Sequence, residues 1–161
     1  MNYLKNLQII GVTARVKRIS DTLMHDARRV YDYLELPIEP NWHLIFLLLK
    51  EQKQLSVTEI SKALEFSHPS VITIIKKMKK VGYVTSRANA KDSRKQIIEL
   101  TEKAYKELPK LQAEWNQIKI AVRDIFDNEF LGQLAIVEEK MEQKGLLSRV
   151  IEIKTSKNEQ K

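Results

Sequence analysis

Residues 55–82 constrain the fold most, because helix starts, a turn and a helix stop follow one another there in fixed order. Ser56-Val57-Thr58-Glu59 has the spacing of a capping box. In that arrangement the Ser56 hydroxyl accepts from the Glu59 backbone N–H, and the Glu59 carboxylate reaches back to the N–H of Ser56. Leu55 and Ile60 stand where a hydrophobic staple would bracket the same helix start. The pattern predicts a helix from Val57 to about Leu64, a turn at Glu65-Phe66-Ser67, and a second helix capped by Ser67. Pro69 is tolerated in that helix's first turn, where its missing N–H would lack an intrahelical partner anyway. The second helix runs to about Val81 and stops at Gly82. Two helices joined by so short a turn have the spacing of a helix-turn-helix.

The second of these helices has two faces. Val71, Ile74, Ile75, Met78 and Val81 recur at core spacing, while Ser70, Thr73, Lys77 and Lys80 share another side, flanked by Lys76. Short hydroxyls suit an approach to base edges in a major groove, and lysines suit phosphates. An ordinary amphipathic helix with a solvated lysine face fits the helix taken alone equally well. The next segment separates the two readings. Tyr83–Arg87 and Lys95–Leu100 are rich in β-branched and aromatic residues and predict two strands. The short polar stretch between them makes a β-hairpin directly after the lysine-faced helix, hence a wing. That wing carries Arg87, Lys91, Arg94 and Lys95 against one acid, Asp92. An arginine on a thin loop suits the narrow, electronegative minor groove of A·T-rich DNA.

Charge follows the same segment. The chain has 161 residues and a formal net charge of +7. Residues 50–95 hold 11 Lys+Arg against 4 Asp+Glu, and the rest of the chain holds 17 against 17. A neutral scaffold with one basic segment points to a polyanionic partner for that segment.

Around it the chain predicts long helices, because Gly and Pro number only four each. Leu4, Leu7, Ile10, Ala14, Ile19, Leu23, Ala27, Val30 and Leu34 predict one amphipathic helix over Leu4–Leu34, roughly 45 Å long at about 1.5 Å per residue. Pro37 and Pro40 break it, and a largely apolar helix follows from about Pro40 to Gln52. After the wing, Thr101 caps a helix to about Phe126 that Pro109 should bend or restart. Another spans about Asn128–Lys144; Leu146–Ile153 is mildly apolar, and Thr155–Lys161 reads as a polar, frayed end.

Several functions find no residues to carry them. The absence of cysteine excludes disulfides, thiolate chemistry and thiol redox sensing. The histidines are His25, His43 and His68, far apart in sequence, so no metal and no cofactor are expected. The four glycines are isolated and form no phosphate loop, and no residue pairing suggests acid–base catalysis, so an enzyme is not expected. No apolar run approaches the roughly 18 residues that would span a membrane, and Met1–Lys5 does not open a signal peptide, so the cytoplasm is the expected compartment.

Over Leu55–Ala104 the chain resembles the winged-helix core of the multiple-antibiotic-resistance regulator (MarR) family. The resemblance rests on the capped helix, the Ser-x-Pro start of the second helix, Gly82-Tyr83-Val84 leading into the wing, and Asp92-Ser93-Arg94 leading to Leu100-Thr101. It implies a mainly α fold with a small β-hairpin wing: a winged helix-turn-helix at 37–102, with N- and C-terminal dimerisation helices at 1–36 and 103–161. It implies a homodimer that sets its two winged helices on successive major grooves of a pseudo-palindromic double-stranded DNA site. Carried over by position, Ser67, His68, Ser70, Thr73, Lys76 and Lys77 would face DNA, Arg94 would enter the minor groove, and Asp92 would fix the wing through an ion pair. His68 departs from the family, where Arg is frequent, so a contact there is expected to weaken or become pH-dependent.

The long first helix and the apolar residues of the last two agree with a dimer, whose half-sites would lie roughly 34 Å apart. The function expected is a sequence-specific transcriptional regulator acting as a repressor. The alternative is a non-catalytic winged-helix module that binds protein. The resemblance further implies release by a small aromatic effector. Met24, Arg15, Trp42, His43 and Phe46 could line its crevice, although core packing accounts better for Trp42 and Phe46.

Overall fold

A computed structural model describes residues 3–88 and 96–158. Its elements are α1 (Tyr3–Asn6), a 3-10 turn (Gln8–Gly11), α2 (Val12–Tyr33), α3 (Trp42–Gln52), β1 (Gln54–Ser56), α4 (Val57–Leu64), α5 (His68–Lys80), β2 (Val84–Ala88), β3 (Gln96–Leu100), α6 (Glu102–Ile125), α7 (Asn128–Gln143) and α8 (Leu146–Asn158). The chain divides into two compact units, Met1–Ala113 and Glu114–Lys161.

In the first unit the expected helix over Leu4–Leu34 is broken near its start. Gln8 has φ +45° and begins the 3-10 turn. Gly11 closes it, packed so tightly that a Cβ there would lie 2.6 Å from the Leu4 carbonyl oxygen. The regular helix is therefore α2, 22 residues long and about 33 Å at about 1.5 Å per residue. It buries one side chain, Tyr31. Glu35, at φ +50°, ends the run ahead of Pro37, and Trp42 rather than Pro40 opens the next helix.

The core of this unit is where the sequence pattern placed it. Ile45, Phe46 and Leu49 of α3, Ile60 of α4 and Val71, Ile74, Ile75 and Met78 of α5 are buried together with Ile98 and Leu100 of β3. Val81, expected in this core, is exposed, because α5 ends one residue before it. Each fully buried aliphatic or aromatic side chain contributes about 1.5–3 kcal/mol. The capping box forms as predicted: Ser56 N–H donates to Glu59 Oε2 at 2.7 Å, and Glu59 N–H donates to Ser56 Oγ at 3.3 Å.

The sheet holds one strand more than the sequence predicted. β3 pairs antiparallel with β2 on one side and with β1 on the other, in the order β1-β3-β2. Leu55 lies opposite Ile98, so it serves as a strand residue as well as a flank of the capping box. The hairpin registers Val84 with Leu100 and Arg87 with Ile97.

The start of α6 grips the end of α5. Gly82 takes φ +81°, which a side chain would strain, and Thr101 Oγ1 donates to its carbonyl at 2.6 Å. Lys103 Nζ donates to the Val81 carbonyl at 2.8 Å and stands 4.5 Å from the centre of the Tyr83 ring. Tyr83 is buried, packs edge-on against Phe46 at 5.2 Å, and donates its hydroxyl to Glu107 Oε2 at 2.7 Å. Burial, then the Glu107 hydrogen bond and charge, hold the Tyr83 phenol well above its ordinary pKa. Its neutral form is thus favoured by folding, so this contribution is complete below about pH 10 and is lost as pH rises further. Tyr83→Phe is expected to cost about 1.5–3 kcal/mol at neutral pH, the range for a hydrogen bond to a charged acceptor. It is also expected to flatten the alkaline fall in stability. Urea unfolding of both proteins at neutral and alkaline pH checks this.

The second unit takes in the end of α6 with α7 and α8. α6 runs unbroken through Pro109, so the expected restart there is absent. Asp127 caps α7 by accepting from the Phe130 N–H at 2.8 Å. Arg149 donates to the carbonyls of Lys140 and Lys144, closing the turn into α8. Thr155–Asn158, expected to fray, continue α8. No side chain described in this unit is buried. Leu131, Val137, Met141, Leu147 and Ile151 are all more than half exposed.

Candidate nucleic-acid interface

Two features aim α5. Ser67 Oγ accepts from the Ser70 N–H at 3.3 Å, which fixes the start of the helix. Val71, Ile74, Ile75 and Met78 are buried, which fixes its rotation. Rotation in turn decides what faces out: Ser67, His68, Ser70, Thr73, Lys76, Lys77 and Lys80 are all exposed. All seven of the expected helix residues are therefore accessible, with Ser70, Thr73, Lys76, Lys77 and Lys80 opposite the buried side.

The hydroxyls are partly engaged within the helix. Ser67 Oγ and Ser70 Oγ share a hydrogen bond of 2.7 Å, and Thr73 Oγ1 donates to the Pro69 carbonyl at 3.0 Å. Each hydroxyl oxygen keeps acceptor capacity toward solvent or a ligand. The lysines differ from one another. Lys76 and Lys80 meet no acid among the described residues. Lys77 Nζ donates to Glu39 Oε1 at 2.7 Å, and Lys79 Nζ donates to Ser86 Oγ at 2.6 Å, tying α5 to the base of the wing.

At the wing, Arg87 is about half exposed and anchored to the sheet. It donates to Gln54 Oε1 at 2.8 Å and lies 3.9 Å from Glu99 Oε1, while Gln54 donates to Glu99 Oε2 at 3.1 Å. One side chain from each strand is thereby linked. Lys91, Asp92, Arg94 and Lys95 lie outside the described residues. The sequence reading missed Glu39, Lys79 and the Gln54–Glu99 link. Nothing in the local pattern pairs residues 38 and 45 positions apart.

Two of the residues considered for a ligand crevice are core residues that pack on Tyr83. Trp42 and Phe46 are 3% and 0% exposed and belong to the core. A cleft of about 420 Å³ lies nearby, lined by Met24, Arg28, Tyr31, Ile38, Glu39 and Lys77 among others, and of the expected residues it includes Met24 alone. Among the described residues no cluster of acids and histidines could hold a metal ion, and no helix is long and apolar enough to cross a membrane.

A capped helix-turn-helix followed by a hairpin, with a third strand closing the sheet, defines this lobe as a winged helix. The model of the MarR family matches residues 36–95, which take in α3, β1, α4, α5 and β2. Over that lobe the chain is similar to the MarR family. Solved structures share the fold over most of the chain. The overoxidised form of AbfR bound to DNA superposes with a TM-score of 0.69 at 16% identity, over 89% of this chain and 98% of that one. Staphylococcus aureus MepR in complex with DNA gives 0.66 at 18%, over 82% and 96%. A MarR/EmrR family transcriptional regulator from Acinetobacter sp. ADP1 gives 0.67 at 22%, over 83% and 93%. No curated protein matches the chain.

Proposed function

We propose that the protein is a homodimeric transcriptional regulator that binds pseudo-palindromic double-stranded DNA and acts as a repressor in the cytoplasm. The observation that carries the reading is the outward side of α5, where Ser70, Thr73, Lys76 and Lys80 are exposed on a helix whose opposite side is buried. The MarR-family match over residues 36–95 and the DNA complexes of AbfR and MepR support the same reading. Lys76 and Lys80, which meet no acid among the described residues, supply phosphate contacts, and the hydroxyls at the helix start meet base edges. Arg94 reaches the minor groove and Asp92 steadies it, as the family resemblance implies. Arg87 acts from the sheet by holding the wing base.

A dimer is supported by the second unit. Its apolar side chains have no core of their own to enter, and a second copy would cover them. The cleft beside Met24, Tyr31 and Arg28 suits a small aromatic effector in size, with Arg28 and Lys77 set against Asp32 and Glu39 in its lining, and such an effector would release the DNA.

Fluorescence anisotropy with random-sequence duplex at two salt concentrations tests the DNA reading. Affinity is expected to fall by about a thousandfold or more between 50 and 200 mM salt, as for proteins making roughly 6–10 phosphate contacts. Salt-independent or absent binding would favour a protein-binding module instead.

A further inference from the structure

α5 carries four lysines, Lys76, Lys77, Lys79 and Lys80, and one of them is already neutralised. Lys77 Nζ donates to Glu39 Oε1 at 2.7 Å. Glu39 belongs to the segment between α2 and α3, far from α5 in sequence. Both ends of this contact are held before they meet. On the Glu39 side, Ile38 is buried, and the Pro40 carbonyl accepts from Tyr31 Oη at 3.4 Å and from His43 Nδ1 at 2.6 Å. The Glu39 carbonyl itself accepts from the Trp42 N–H at 3.0 Å. On the Lys77 side, Ile74, Ile75 and Met78 are buried and fix the helix. Only side-chain freedom is lost when the carboxylate and the ammonium pair, which favours the pair over one between mobile surface groups.

The pair is also open to competition. Its side chains are 52% and 46% exposed, on the same accessible side of α5 as Thr73 and Lys76. A phosphate arriving at Lys77 must displace the Glu39 carboxylate, because both use the same ammonium. We infer that Glu39 is a built-in acidic competitor that holds Lys77 away from DNA phosphates and so lowers the affinity of the protein for duplex DNA. This rests on the DNA-binding reading above. It assigns Glu39 a positioning role toward Lys77 and leaves Lys76 and Lys80 as the readily available phosphate contacts of this helix.

A double-mutant cycle on the full chain tests it. Duplex affinity would be measured by anisotropy for the wild type, Glu39→Gln, Lys77→Ala and the double variant, with melting curves confirming that each is folded. Glu39→Gln is expected to tighten binding by roughly three- to fivefold, the size of effect available to an exposed ion pair. In the Lys77→Ala background the same change is expected to do clearly less. Tightening by the same factor in both backgrounds would mean that Glu39 acts through general repulsion of DNA, and would overturn the inference. Unchanged or weaker binding in Glu39→Gln would overturn it too. Steep wild-type binding with an inert Glu39→Gln removes the inference alone, whereas no salt-dependent binding by the wild type removes the DNA reading and the inference together.

Discussion

Phe46→Ala is expected to destabilise the winged-helix lobe by about 3–5 kcal/mol, the range for deleting a fully buried aromatic side chain. Phe46 is completely buried in α3 and meets the Tyr83 ring edge-on at 5.2 Å. Tyr83 joins the core to α6 through its hydroxyl contact with Glu107. The vacated space would thus lie where α3, the start of the wing and α6 meet, held by strands and helices that cannot all close in on it. Against the roughly 5–15 kcal/mol that holds a typical domain folded, such a loss leaves a large unfolded fraction near body temperature. Urea unfolding would show a much lower midpoint at an unchanged slope. A loss below about 1 kcal/mol, the level of a surface change, would place Phe46 outside the core.

The second large effect concerns binding. Changing Lys76 and Lys80 together to alanine is expected to reduce duplex affinity by at least tenfold at moderate salt. The salt dependence should also fall by about two phosphate contacts for each lobe engaged. Both lysines are exposed and meet no acid among the described residues, so stability should change by no more than about 0.5 kcal/mol. The loss is expected on all sequences alike, since phosphate contacts position the protein without reading bases. Titrations on random duplex at several salt concentrations measure both quantities. An unaltered slope would exclude these lysines as phosphate contacts. The opposite sign expected for Glu39→Gln makes the pair of experiments a check on how α5 uses its charge.

The winged-helix lobe was legible in sequence because its signals are local. The capping box at Ser56 and Glu59, the Ser67 cap and the Gly82 stop each lie within a few residues of the geometry they dictate. The β-branched and aromatic residues of 83–87 and 95–100 placed the two hairpin strands to within a residue. What escaped the sequence depends on distant partners. Strand β1 exists because β3 offers it an edge, and a three-residue stretch next to a cap carries no periodicity of its own. The break at Gln8–Gly11 was hidden by apolar spacing that continues through it, although Gly11 marks the close approach to Leu4. At the candidate interface the exposed residues of α5 could be read from helical period alone. The partners of Lys77 and Arg87 could not, because Glu39, Gln54 and Glu99 reach them only through the tertiary fold.

Lysine footprinting tests most directly whether the outward side of α5 lies against duplex DNA. Acetylation rates of individual lysines would be compared by mass spectrometry with and without saturating duplex. Lys76 and Lys80 are expected to be strongly protected, while Lys17, paired with Asp21 on exposed α2, keeps its rate. Unchanged reactivity at Lys76 and Lys80 in a complex that demonstrably forms, or protection confined to lysines elsewhere, would contradict the account.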